Sequence, residues 1–549
     1  MTMAGSQFYV IGKKGFGVLF LRTAPLRVAS VAHDVIVAYE ASHPGVDGYA
    51  RIAAAAKAMM AGQDGQSDTA LDQIQIQGIE ALIAGGASVS EADFALVGEV
   101  VDTSWDFNRV IQMPIESPLH AVGPSGSKRS FRLSRTPLPE RSSLSTRADT
   151  PPMGALSADR GRQDTAGFAA LDPVALRRFG ITRLGDLTDL DIIGVPVWFA
   201  ARPNSRGLAV SQGKGLNQEQ AQISAVMEAI EGGVAEDTQR HVREYGSVRS
   251  LASRGLSVVP LDDLARVDWQ NLDPDRERAW VQGYSVRDQH TVFAPYELVG
   301  MDYRMDFPWD RQAFHMSSQG LAAGFDFDRT VLHGLLELVE NDACFLVDAL
   351  ATRSLGLRPV AFPSGLCPAL DQLVARVEAA GLSARFFDLT SSNGIPVIMA
   401  SLPRSVAGQE GPGMRVVAGV ACRLDRGEAA IAALLEAVQS RLTDISGARD
   451  DLTPQRYVGD RNVPEKRLAS DLSGTELLPL DLSSHDQAGA VWQRLAHHLF
   501  ARGVEDIYIF PLDTAAPEIR VVRVLARGLS AAGASLNRLS AGALDGFLG

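Results

Sequence analysis

The chain has 549 residues, 46% hydrophobic and 21% charged, a balance that excludes a disordered or fibrous protein and suits two or three globular units. Lys and Arg number 52 against 65 Asp and Glu, and the formal charge of −13 excludes a basic nucleic-acid platform as the overall role. Three cysteines (Cys344, Cys367 and Cys422) make no C-x-x-C pair and no disulfide framework, which points to a reducing, cytoplasmic setting.

In chain order, the most apolar early run is Phe16 to Val31, but Arg22 and Arg27 interrupt it. Neither a membrane span nor a signal-peptide core is expected there. Residues 1–116 read as a small, mostly helical segment, with Ala-rich helices over Tyr49 to Gly62 and Leu71 to Gly86, each closed by glycine. Residues 117–167 are rich in Ser, Pro, Arg and Gly without apolar periodicity, the composition of a flexible linker. Residues 168–549 form the core-bearing domain, α/β with α+β layers, mixed sheets and packed helices. Strands are expected at 195–200, 258–261, 397–402, 414–421, 507–510 and 519–525. Helices are expected at 218–237, 326–350, 370–380, 427–443 and 487–502. No fixed-period repeat of solenoid type is visible.

Three of these helices carry related charged patterns. In SQGKGLNQEQAQISAVMEAIE a Gly-Lys-Gly turn feeds a helix, and Ser224, Glu228 and Glu231 share one face at spacings of four and three. A small-residue loop, Ser317 to Gly324, precedes the second helix, which bears His333, Glu337 and Glu340. The third offers Glu436, Gln439 and Arg441. Carboxylates beside apolar stripes are costly unless paired or metal-bound. Several hard oxygen ligands without soft ones suit Mg²⁺ bridged to phosphates, with Lys214 and Arg441 supplying positive charge. No G-x-x-x-x-G-K-[ST] loop is present, so a nucleotide site here is of a different type. His333 and Glu337 at i,i+4 have no second His or Cys at zinc-ligand spacing, and Cys344 and the pair His497–His498 read as packing or surface residues.

At these residues the sequence resembles the YcaO family. SQGKGLNQEQAQISAVMEAIE, SSQGLAAGFDFDRTVLHGLLELVENDA and LLEAVQSRLTDISGARDD match its three nucleotide-site patterns, and the likeness extends from about Phe179 to Leu529. The resemblance implies an ATP- and Mg²⁺-dependent enzyme that activates a peptide backbone amide by phosphorylating its oxygen. The product is an azoline, a thioamide or an amidine, according to the nucleophile. It implies that Glu228, Glu231, Glu337 and Glu340 hold Mg²⁺ and nucleotide. Ser211, Lys214, Ser224 and Gln319 then line the nucleotide or phosphate pocket, and Glu436, Gln439 and Arg441 complete the catalytic set. The expected partners are a precursor peptide and a TfuA-like or leader-peptide-binding protein, in a homo-oligomer with no nucleic acid and no membrane. Gly232 and Asn341 stand where the family often has Arg. The chain's last residues, ALDGFLG, lack the Pro-rich tail of azoline-forming members, which favours the trifolitoxin-type, thioamide-forming branch. Two other readings are a non-catalytic nucleotide-binding scaffold subunit and a two-metal hydrolase.

Overall fold

The computed structural model describes residues 173–538 except 263, 265–271, 305–308, 312, 351–357, 404–415, 448, 450–451, 453–475, 478–487, 515 and 532–535; before residue 173 it describes 8–13, 17–23, 26–32, 40–41 and 43–46. Five helices of three or more turns carry the architecture: α1 (Gln218–Ala235), α2 (Phe327–Leu350), α3 (Pro368–Ala379), α4 (Arg426–Ser446) and α5 (Ala488–Ala501). They match the helices expected from apolar periodicity to within a few residues.

Sheets pack against them. β4 (Arg183–Asp186), β5 (Val197–Ala201) and β6 (Val210–Lys214) form an antiparallel sheet against α1. A six-stranded sheet runs in the order β10 (Leu321–Gly324), β17 (Arg520–Arg527), β16 (Asp506–Leu512), β8 (Arg278–Ser285), β7 (Val242–Gly246), with β9 (Thr291–Pro295) also on β8. The third sheet is ordered β14 (Val416–Cys422), β13 (Val397–Pro403), β12 (Arg385–Asp388), β11 (Arg358–Ala361), β15 (Glu476–Leu477), and only its last pair is parallel. The expected strand at 258–261 is reduced to an isolated bridge from Val258 to Phe293.

The core has three parts that follow the helices. α1 buries Ala225, Val226, Ala229 and Ile230 against the six-stranded sheet, where Trp280 is fully enclosed. α2 buries Val331, Leu335 and Val339 with Trp492 of α5, and Val522 and Val524 of β17. α4 buries Ala433, Leu434, Ala437 and Val438 against Ile398 and Ala400 of β13. Each fully buried aliphatic chain contributes about 1.5–3 kcal/mol, so the stripes that define the helices also fix how they pack.

Two local expectations are corrected. The Gly-Lys-Gly segment is not a turn, because Gly213 and Lys214 are the last residues of β6. A Cβ at Gly213 would lie 1.9 Å from the backbone nitrogen of Ala225, so this glycine serves strand–helix contact rather than chain reversal. The small-residue loop ends at Gly320, and Leu321–Gly324 is strand β10, paired with β17.

In the segment 1–116, the described strands form an antiparallel meander of β1 (Phe8–Lys13), β2 (Gly17–Thr23) and β3 (Leu26–Ala32). A late strand, β18 (Leu536–Arg538), pairs with β3 in parallel. The helices expected at Tyr49–Gly62 and Leu71–Gly86, and the linker 117–167, lie outside the described residues. Among the described residues no helix is long and apolar enough to cross a membrane.

Candidate functional site

α1, α2 and α4 begin alike. Each follows a strand (β6, β10 or β14) after two or three residues, and an Asn or Asp caps it. The side chain of Asn217 accepts from the Gln220 amide at 2.9 Å, Asp326 from Arg329 at 2.8 Å and Asp425 from Glu428 at 2.9 Å. Counted from the cap, the charged pairs fall at one register. Positions 228 and 231 lie eleven and fourteen residues after 217, as do 337 and 340 after 326, and 436 and 439 after 425. These offsets are about three and four helical turns, so each pair stands on the face of its own cap at the same height.

The strand residue three before each cap completes a ring. Glu231 Oε1 on α1 accepts from the Ala323 amide of β10 at 2.8 Å. Glu340 Oε2 on α2 accepts from the Cys422 amide of β14 at 3.0 Å. On α4, Glu436 Oε2 meets Lys214 Nζ of β6 at 3.4 Å, and Gln439 Nε2 donates to the Gln212 carbonyl at 3.2 Å. Each helix holds the strand leading into the next, and the third closes on the first. The two ExxE pairs and the ExxQ pair therefore face a common centre.

The electrostatics of that centre are anionic and strained. Burial raises the Glu231 pKa to about 8, and Glu228 pushes in the same direction. Burial and then the charge of Glu436 bring Glu340 to about 8. Glu337 is raised well above the carboxylate range by burial, with Glu231 and Glu340 adding to it. Glu228 is also raised by burial, against the pull of Lys214 and Arg449. Glu228 and His333 are nevertheless accessible to water. Groups surrounded by protein yet reached by solvent line a cleft, not an outer face. Burial brings His333 down to about 4, with Arg423 and Lys214 adding to it, so at neutral pH the imidazole is uncharged.

A set of buried carboxylates whose charge is only partly compensated could hold a cation. Its oxygen donors match a hard divalent ion. Among the described residues no three His, Cys, Asp or Glu side chains are grouped closely enough to cage a metal by themselves. Mg²⁺ commonly takes one or two carboxylates and completes its shell with water and phosphate oxygens.

The other expected residues divide. Lys214 and Glu436 meet in the ring, and Ser211 and Ser224 are half-buried on β6 and α1, one turn before Glu228 in the case of Ser224. Gln319 lies in the loop before β10, where its carbonyl accepts from Arg523 Nη1 at 2.6 Å. Arg441 is engaged elsewhere: its Nε and Nη2 donate to both oxygens of Asp191 at 2.8 and 3.0 Å, a bidentate pair that ties α4 to the segment before β5.

Sequence reasoning missed Arg523. This fully buried residue of β17 donates to the carbonyls of Val299, Gln319 and Ser317, and its charge acts on Glu337 and Glu231. An arginine inside the apolar run VVRVLA was the available signal. Arg423 was also passed over, although the constant cap-to-Glu spacing places it at a defined register.

The sequence pattern of the family described as YcaO cyclodehydratase, ATP- and Mg²⁺-binding, matches residues 212–530. A protein encoded in the tfuA 3' region of Rhizobium leguminosarum bv. trifolii is 35% identical over 380 residues, 68% of this chain and 88% of that protein. A protein of Methanothermobacter thermautotrophicus is 28% identical over 364 residues, covering 63% of this chain and 90% of its own length. In fold, the chain is similar to YcaO from Methanopyrus kandleri bound with AMPPCP and Mg²⁺, with a TM-score of 0.51, 22% identity, and coverage of 66% of this chain and 90% of that one. It is also similar to a heterocyclase in complex with substrate and cofactor, with a TM-score of 0.54, 18% identity, and coverage of 68% and 54%. The matched region contains all three cap-and-carboxylate units from Gln212 onward, and on that basis the chain belongs to the YcaO cyclodehydratase family, whose members bind ATP and Mg²⁺.

Proposed function

We propose that this protein uses ATP and Mg²⁺ to activate a backbone amide of a ribosomally made peptide by phosphorylation of the amide oxygen, and that external sulfide then yields a thioamide. The observation that carries the reading is the convergence of five glutamates from three helices on one cleft, with too little internal positive charge to balance them. Mg-ATP supplies the phosphoryl group that turns a poor leaving oxygen into a good one. The chain's own residues position and stabilise charge. Glu228, Glu231, Glu337 and Glu340 hold the cation and its nucleotide. Ser211, Lys214, Ser224 and Gln319 line the phosphate side, and Arg523 keeps the Gln319 loop in place. Glu436 and Gln439 lock α4 to β6, and Arg441 acts through Asp191 as a positioning residue. The thioamide branch and a TfuA-like partner are favoured by the relative encoded in the tfuA region.

Glu337→Gln tests the core of this reading. The variant is expected to fold, to lose ATP turnover by at least about 100-fold, and to bind Mg-AMPPCP more weakly, because a cation ligand is gone. Unchanged ATP consumption, with precursor peptide, sulfide and partner present, would count decisively against it. Mass spectrometry of the peptide separates the products. Exchange of oxygen for sulfur supports the thioamide, and loss of water replaces it with an azoline.

A further inference from the structure

Arg523 has more hydrogen-bonding capacity than the fold uses. Nε donates to the Val299 carbonyl at 3.0 Å, Nη1 to that of Gln319 at 2.6 Å and Nη2 to that of Ser317 at 2.7 Å. A guanidinium carries five N–H donors, so one on each Nη is left over. Glu337 and Glu231 act on its charge, yet among the described residues neither accepts a hydrogen bond from it. Spare donors on a fully buried cation are costly unless an acceptor comes from elsewhere.

The guanidinium lines a cavity of about 40 Å³ beneath the Gln319 loop. One water needs about 10–15 Å³, so the space takes a very small molecule and no nucleotide. Its walls are mostly apolar, formed by Leu298, Leu338, Leu525 and Leu529, and among the described residues no carboxylate lines it. Leu525 follows Arg523 by two in β17, which puts both side chains on one face of the strand. Leu338 neighbours Glu337 on α2, so cavity and cleft share that helix and the Gln319 loop. Burial lowers the pKa of His315, which also lines the cavity, and its imidazole is uncharged at neutral pH. Arg523 is lowered only to about 10 and keeps its charge.

A lone cation with free donors among leucines selects a small, weakly hydrated anion. Thioamide formation needs such a species, because the sulfur nucleophile has to reach the activated carbon ahead of water. Leucine walls disfavour water, which gives up hydrogen bonds there. We propose that the cavity beneath the Gln319 loop holds hydrosulfide against Arg523 and supplies it to the cleft. At the activated amide the C–S bond forms and the C–O bond breaks, its electron pair going to the phosphorylated oxygen. The proton of hydrosulfide leaves with the phosphate. The inference rests on the thioamide reading above.

Two substitutions fill the cavity and leave the charged residues of the cleft in place. Leu525→Phe enlarges a buried wall residue, and Leu529→Phe, at a half-buried position, serves if the first variant does not fold. The sulfide KM of thioamide formation is expected to rise at least about 10-fold in either variant, with Mg-AMPPCP affinity unchanged by calorimetry. Bromide, a spherical anion similar in size to hydrosulfide, is the structural probe. Crystals of the unmodified full chain soaked in sodium bromide are expected to show its anomalous signal beside the Arg523 Nη atoms, and crystals of a filled variant are not. An unchanged sulfide KM in a folded variant overturns the inference. So does a loss of Mg-AMPPCP affinity that matches the rise in KM, or a cavity that takes up no bromide. If the unmodified chain makes no thioamide from ATP, peptide and sulfide, the parent reading falls and takes this inference with it, whereas thioamide made at an unchanged sulfide KM sinks the inference alone.

Discussion

Arg202 and Glu236 are buried as an ion pair at 2.6 Å, and Arg278 and Asp310 as another at 2.6 Å with side chains 1% exposed. Glu236 also accepts from Ser205 Oγ and from the Gly207 amide. A short distance along α1 from Glu236, Glu228 and Glu231 face Glu337, Glu340 and Glu436 with far less compensation, and burial raises the pKa of four of these five. Both regions remove charge from bulk water. The first is complete without a ligand, because each anion has its cation in the fold. In the second, Lys214, Arg423, Arg449 and Arg523 offset only part of the glutamates' charge, which leaves room for a cation from outside. The difference between a structural charge and a functional one is therefore the location of the counter-charge, not burial itself.

Breaking the completed region should cost the most. Arg278→Ala leaves Asp310 buried without its main partner and is expected to lower stability by about 3–5 kcal/mol in urea unfolding, with Mg-AMPPCP affinity unchanged in whatever fraction folds. A loss below about 1 kcal/mol would erase the contrast. A change of opposite sign is expected in the cleft. Glu231→Gln removes an anion that the ligand-free fold disfavours and keeps an oxygen to accept from Ala323. Its melting temperature at pH 8 is expected to rise by a few degrees, while Mg-AMPPCP affinity falls. A drop in melting temperature would show that Glu231 is structural.

A third test of the contrast is a slope with pH. The folded pKa values of Glu231 and Glu340, near 8, lie above those of an unfolded glutamate, about 4.3. The folded chain therefore holds protons that the unfolded chain releases. Their stabilising contribution is full below pH 4 and is lost as pH rises through about 8. Ligand-free melting temperature is expected to fall from pH 5 to pH 8, with Mg²⁺ and nucleotide restoring more at pH 8 than at pH 6. A flat profile for the ligand-free chain, or equal restoration at both values, would remove the cleft's claim to incompletely compensated charge.

Much of the domain could be read from residue order. Apolar residues recurring every three or four positions marked all five long helices, and the doublets Glu228–Glu231 and Glu337–Glu340 were visible as faces because a helix has a fixed pitch. The caps Asn217, Asp326 and Asp425 were equally local, and their constant spacing to the glutamates was there to be counted. The four-residue strand β10 was harder, since its pairing partner β17 lies far along the chain and its composition alone does not distinguish it from a loop.

What the sequence by itself determined is each cap–helix unit, because capping and helical pitch act over a dozen residues. Only the tertiary structure decided that the three units close into a ring, that Arg441 turns to Asp191, and that Arg523 lies beneath the Gln319 loop. These outcomes depend on which distant groups compete for one charge, and that competition exists only once the helices have packed.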